Sequence, residues 1–184
     1  MEISRINLEG LAASINDEIQ RSVAAIKQRH LDAGQKASGK TLNSIRGEVT
    51  VGTTSLRAII YGRAPFTDLE VGAGPGGRPS NFYRIILDWM HFKGIHGDPI
   101  PYKRQPSDRW QPKYTPEDRG DRTLAYFISK KIEEEGTRRY RNESERKDIY
   151  STEVASVVSR IEESLLRVFS MEVDHIHTHS TLKP

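Results

Sequence analysis

The chain has 184 residues, 35% apolar and 29% charged, with a net charge of +3 and no cysteine. That length suits about one domain, and the missing cysteines exclude disulfide staples, thiolate metal sites and thiol nucleophiles. No apolar run approaches the roughly 18 residues of a membrane span, and MEISRINLEG has neither the basic opening nor the apolar stretch of a secretory signal, so a soluble protein with a thin core is expected.

Residues 4–33 read as one long helix, because Leu8, Leu11, Ile15, Ile19, Val23 and Ile26 recur at steps of three or four and build a single apolar stripe. Gly34 is placed as its stop. A short helical turn is expected from Gly39 to Arg46. Val49 and Val51 then alternate with polar neighbours, Gly52 to Ser55 is turn-like, and Leu56 to Tyr61 is rich in β-formers, so 47–62 reads as a hairpin. After a glycine- and proline-rich loop at 72–80, a helix over about 80–92 places Phe82, Ile85, Ile86, Trp89 and Met90 on one face. The stretch 93–115 holds four prolines and no period; a loop that long in a compact domain is usually functional or disordered. Thr115-Pro116-Glu117-Asp118 opens the next helix with a cap residue, a first-turn proline and first-turn acids. Its stripe is Leu124, Phe127, Ile128 and Ile132, and Gly136 ends it. A charged link, 138–148, leads to a last helix at about 151–172, striped by Val154, Val157, Val158, Ile161, Leu165, Val168 and Phe169. The expected architecture is α+β: a single domain over 1–174 with an extended loop at 93–115, and a C-terminal arm at 175–184.

Charge is uneven along the chain. Residues 93–147 hold 14 of the 28 Lys and Arg against 10 acids, a local +4, which gives phosphate or an acidic partner somewhere to dock. Within the loop stand Tyr102, Lys103, Arg104, Arg109, Trp110, Lys113 and Tyr114. Cations interleaved with aromatics suit a nucleic-acid backbone and equally anchor protein interfaces. The lack of a dense basic run favours the protein interface.

Three short patterns imitate chemistry. Gly34-Gln35-Lys36-Ala37-Ser38-Gly39-Lys40-Thr41 fits the phosphate-binding loop, in which Lys40 would reach the β/γ oxygens and Thr41 would hold magnesium. That loop needs a buried strand before it, whereas Ile26 to Ala33 continues a helical stripe. Gly72 to Gly77 fits G-x-G-x-x-G, yet Pro75 removes an amide donor and Arg78-Pro79 delays any helix. His175, His177 and His179 would share one face only of an extended segment. His91 and His96 flank Gly94 near Asp98 without forming a catalytic set, and Glu133-Glu134-Glu135 reads as a solvated run. No catalytic residue, cofactor or metal is expected.

The order of segments is informative as a set. A long helix runs into Ala37-Ser38-Gly39-Lys40-Thr41-Leu42-Asn43-Ser44-Ile45 and a hairpin. Leu69-Glu70-Val71-Gly72 precedes a glycine loop with Arg78-Pro79, followed by Ile86-Leu87-Asp88-Trp89 with Lys93-Gly94. Ala125 to Ile132, Glu135-Gly136-Thr137 and a C-terminal helix complete it. Over about residues 10–170 this order resembles the neck and tail-completion proteins of tailed bacteriophages. The resemblance implies a virion protein assembled in the host cytoplasm, a subunit of an oligomeric ring at the head–tail junction that seals or joins portal and tail and lines the DNA channel. It implies no enzyme activity, and a structural role for the Gly39-Lys40-Thr41 stretch. Its implied partners are identical subunits, portal and tail proteins, and channel DNA contacted without sequence preference. Two alternatives follow from the residues alone: a small P-loop NTPase using Lys40 and Thr41, and a nucleic-acid-binding module centred on 93–147.

Overall fold

The computed structural model describes residues 8–53, 55–63, 66, 68–103 and 111–180. The fold is α+β: helix α1 (Leu8–Asp32), helix α2 (Lys40–Ser44), strands β1 (Arg46–Val51) and β2 (Leu56–Tyr61), then helices α3 (Asp68–Val71), α4 (Phe82–Lys93), α5 (Pro116–Glu135), α6 (Arg138–Arg141) and α7 (Ser151–Ser180). A 3-10 turn at Glu143–Glu145 follows α6. The apolar stripes sort into two compact units: Met1–Lys36, Thr41–Phe66 and Asp148–Pro184 form one, and Ala37–Lys40 with Thr67–Lys147 the other.

In the first unit α1 is the spine. The described residues of its predicted stripe, Leu11, Ile15, Ile19, Val23 and Ile26, are buried. The hairpin packs on α1, and α7 packs beside it. β1 and β2 pair antiparallel from Arg46↔Tyr61 to Val51↔Leu56, and the amide of Gly52 donates to Ser55 at 2.7 Å to close the turn. Gly47 lets the hairpin approach the helix, since a Cβ there would overlap the Ile19 side chain. Val49, Leu56 and Ile60 line the hairpin's inner face, while Val157, Ile161, Leu165 and Val168 of α7 complete the core.

α7 runs antiparallel to α1, because Arg29, Ser22 and Glu18 meet Asp148, Glu153 and Arg160 in reverse order. The predicted α7 stripe is only half used. Val157 is buried, but Val154, Val158 and Phe169 are exposed. The helix also runs on to Ser180, so the backbone from 175 to 180 is helical rather than extended, and the reading of alternate histidines on one extended face does not hold.

The second unit is built on α4 against α5. Ile86, Leu87, Met90 and Ala125 are buried, flanked by Phe82, Tyr83, Leu124, Ile128 and Ile132. Here too the predicted faces shift. Ile85 and Trp89 of α4 and Phe127 of α5 are exposed, because the buried face of α4 is centred on Ile86, Leu87 and Met90. The start of α5 follows its sequence signature: the Thr115 hydroxyl accepts from the Asp118 amide at 3.1 Å, and the Asp118 carboxylate accepts from the Thr115 amide at 3.3 Å.

Candidate functional site

The long loop leaves α4 at Gly94, whose left-handed conformation (φ +64°) ends the helix. The chain then lies directly on the first turns of α5. A Cβ at Gly97 would overlap the Gly120 carbonyl, and one at Gly120 would overlap the Asp98 carbonyl, so both positions need glycine for the backbones to touch. Asp121, one residue along, fastens this contact. Its carboxylate accepts from the Gly97 amide at 2.8 Å, with His96 Nδ1 at 3.1 Å and His91 Nε2 at 3.5 Å. The amide bond from Gly97 holds the Asp121 carboxyl below the usual aspartate range, burial opposes this, and His96 and His91 add to the lowering. His91 and His96, scattered in the sequence, thus converge on one carboxylate.

The two ends of the loop are also tied together. Ile100 donates its amide to the Pro116 carbonyl at 2.9 Å. The Tyr102 hydroxyl donates to the Tyr114 carbonyl at 2.8 Å. The Arg119 guanidinium donates to the carbonyls of Ile100 and Pro101 at 3.1 and 3.0 Å and lies 4.2 Å from the centre of the Tyr102 ring. One helical turn on, Arg122 lies 3.9 Å from the Tyr114 ring centre, with Lys113 at 5.3 Å from the same ring. Tyr102, Lys113 and Tyr114 are therefore brought together at the loop root, and Lys103 is exposed beside Tyr102. Arg104, Arg109 and Trp110 lie outside the described residues.

Arg119 and Arg122 belong to this cluster but were not singled out in the sequence. The available signal was their spacing of three, which puts both on one side of α5. Their roles differ. Arg119 is committed to carbonyls and a ring, which makes it a clamp; Arg122 and Lys113 share the Tyr114 ring and form no ion pair among the described residues.

Three further arginines of the stretch are paired locally. Arg138 pairs with Glu145 at 2.7 Å, Arg141 with Glu135 at 2.6 Å and Arg146 with Glu143 at 2.8 Å. Arg139 donates to the carbonyls of Leu69 and Glu145 at 2.5 and 3.1 Å.

The tempting motifs resolve into local structure. Residues 34–41 connect helix α1 to the short helix α2, and helix, not strand, feeds the stretch. The 72–77 loop follows α3, and its polar backbone turns inward: Ala73 donates to the Thr137 hydroxyl at 3.0 Å, Thr137 returns a bond to the Ala73 carbonyl at 2.8 Å, and Gly76 donates to Glu133 at 2.8 Å. Among the described residues no group of three or more His, Asp or Glu side chains could hold a metal ion, and no helix is long and apolar enough to cross a membrane.

The other dense cluster of charge lies between α1 and α7. Arg160 donates to Glu18 at 2.7 Å, and to Glu153 and Ser22 at 2.8 Å each. Ser22 also donates to Glu153 at 2.9 Å, and Arg29 reaches Asp148 at 2.9 Å. Ser22 and Glu153 are buried, and their bonds are spent on one another, which fixes the register of the two helices.

No family model, curated protein or solved structure matches the chain.

Proposed function

We propose that the chain is a non-enzymatic structural component of a virion: a subunit of an oligomeric ring at the head–tail junction of a tailed bacteriophage. Its work is to seal or join portal and tail around the DNA channel, with identical subunits and portal or tail proteins as its partners. The order of sequence segments supports this reading. The observation that carries it is the set of large apolar side chains left exposed on helices whose other faces build the cores: Val154, Val158 and Phe169 on α7, and Ile85, Trp89 and Phe92 on α4. Rows of this kind mark surfaces that meet other proteins. A subunit held between identical neighbours completes its burial through them, which agrees with a chain poor in apolar residues. Electron microscopy of the purified protein, alone and with tail-less particles, tests it: ring-shaped oligomers and occupancy of the particle vertex are expected.

A second reading, a nucleic-acid-binding module, is favoured by one feature: Arg122 and Lys113 meet on the Tyr114 ring at the loop root, with no ion pair among the described residues. The rings of Tyr102 and Tyr114 each carry a guanidinium, so phosphate contact suits the site better than base stacking. This reading requires DNA affinity of the isolated chain, falling steeply with salt and reduced by Arg122→Ala. A flat salt response removes it.

A further inference from the structure

The two edges of the β hairpin differ. Gly52 donates its amide to the Ser55 carbonyl at the turn, so along the register of β1 and β2 the hydrogen-bonded pairs are Thr50↔Arg57, Glu48↔Ile59 and Arg46↔Tyr61. The amides and carbonyls of Gly47, Val49 and Val51 therefore point out of the hairpin on one edge, and those of Leu56, Ala58 and Ile60 on the other. Gln20 of α1 donates to the Gly47 carbonyl at 3.4 Å. No hydrogen bond from outside the hairpin reaches Leu56, Ala58 or Ile60 among the described residues. Ala58 is exposed, and the β2 strand carries one charge, Arg57, and no proline, so this edge lacks the devices that usually blunt one.

The β2 edge lies on the α7 side of the hairpin. At about 100° per residue, Gln20 stands on the opposite flank of α1 from Glu18, Ser22 and Arg29, which bond Arg160, Glu153 and Asp148. Since Gln20 reaches the β1 edge, that edge faces away from α7 and the β2 edge faces towards it. The outer row of α7 turns the same way as the hairpin. Ile19 and Val23 lie against the hairpin at Gly47, so the polar bonds of Glu18 and Ser22 run along the side of the helix pair away from it. On α7 those bonds use Glu153 and Arg160, to one side of the buried Val157. Val154, Val158 and Phe169 are exposed and lie about 60–120° round to the other side, on the hairpin's face of the pair. Glu162, exposed in the middle of this row, forms no ion pair among the described residues.

We infer that the β2 edge and this row form one docking site for an extended segment of a second protein. The segment adds to β2 as a third strand and lays alternate side chains on α7. Lengths agree: the six residues of β2 span about 20 Å, and Val154 to Phe169 spans about 22 Å. The segment is apolar at alternate positions, to cover Val154, Val158 and Phe169, with a Lys or Arg at the central one to meet Glu162. A copy of this chain's own hairpin does not fit, because the helix under either of its strands, α1 or α7, would need the place that α7 already holds. Among the described residues the chain has no third strand to offer. Main-chain bonds supply the affinity, and the row sets the choice of side chains. The inference goes beyond the ring reading and does not depend on it.

The probe is the peptide Val-Thr-Val-Thr-Lys-Thr-Val-Thr-Val, which reads alike in either strand direction, added to the full chain. Nuclear magnetic resonance should show saturable binding, with amide exchange at Leu56, Ala58 and Ile60 slowed about tenfold or more. Exchange at Arg57 and Ile59, already inside the hairpin, should not change. Ala58→Pro removes one outward amide and none from the ladder, and should weaken binding about tenfold. Glu162→Lys, at an exposed helix position, should weaken it too, and the same peptide with Glu in place of its Lys should restore it. That exchange of charge keeps the test decisive if Ala58→Pro disturbs the hairpin. The inference is overturned if the peptide does not bind, if it binds without slowing the three amides, or if the charge exchange fails to restore binding. Slowing of the same three amides by raised protein concentration alone, without peptide, makes the occupant a second copy and overturns it as well.

Discussion

On α7, Arg160 bonds Glu18 and Ser22 of α1 and Glu153 of its own helix, so one guanidinium is the hub of the polar contact between the two helices. Arg160→Ala leaves the buried Glu153 carboxylate without its strongest partner. With about a third of Arg160 in solvent, the loss is discounted to about 2 kcal/mol, read as a lower urea midpoint. Arg160→Met with Glu153→Leu should restore most of it, because a matched apolar pair carries no desolvation cost. Burial alone would raise the Glu153 carboxyl, but the bonds from Arg160 and Ser22 outweigh it and hold it below the ordinary 4.5. A depressed carboxylate gives stability that is fully present above its ordinary value and lost as pH falls through its folded value. Acid unfolding of the wild type should therefore set in below about pH 4.5 and be shallower in the Arg160→Met, Glu153→Leu pair. None of this was legible in the sequence, since Ser22 and Glu153 are neighbours only after α1 and α7 have packed. The Lys40 match was legible, and helix α1 rather than a strand precedes it. Calorimetry with magnesium nucleotide should show no binding, and tight binding abolished by Lys40→Ala would contradict the reading.

At the scale of elements, the root of the 93–115 loop is where local sequence and tertiary contact divide the work. The capping box at Thr115 and Asp118 could be read directly, because its partners lie three residues apart. The contact of Gly97 with Gly120 could not, because glycine in a loop and glycine in a helix carry no mark of touching. Gly120→Ala should force the two backbones apart and cost about 1–3 kcal/mol, measured by thermal unfolding, with faster proteolysis within the loop. Tyr102→Phe removes one hydrogen bond and should cost about 1 kcal/mol. Period alone also misplaced part of each apolar face. Ile85, Trp89, Phe127, Val154, Val158 and Phe169 satisfy the helical repeat, yet they stand outside the cores. Periodicity reports how wide an apolar face is, and only packing decides which edge of it meets a neighbour. The surplus width on α4 and α7 is what the proposed assembly uses.

For the whole molecule, the low apolar content takes on a definite meaning. The cores of the two units are small, each centred on a few fully buried aliphatic side chains, while several of the largest apolar groups lie outside them. In the proposed assembly the chain would gain stability from its own copies, so its unfolding midpoint should rise with protein concentration, a dependence absent from a self-sufficient monomer. The sequence carried the four long helices, the short α2, the hairpin and the loop between α4 and α5, but not α3, α6 or the run of α7 beyond about residue 172. It did not carry the division into two units, because Ile15 and Met90 look equally apt for a single core. The central claim is that identical copies form a ring, and electron microscopy of the purified full chain, with sedimentation of the same sample, addresses it most directly. Closed rings of uniform copy number, growing at the expense of monomer as concentration rises, are predicted; a strictly monomeric species at every concentration would contradict the account.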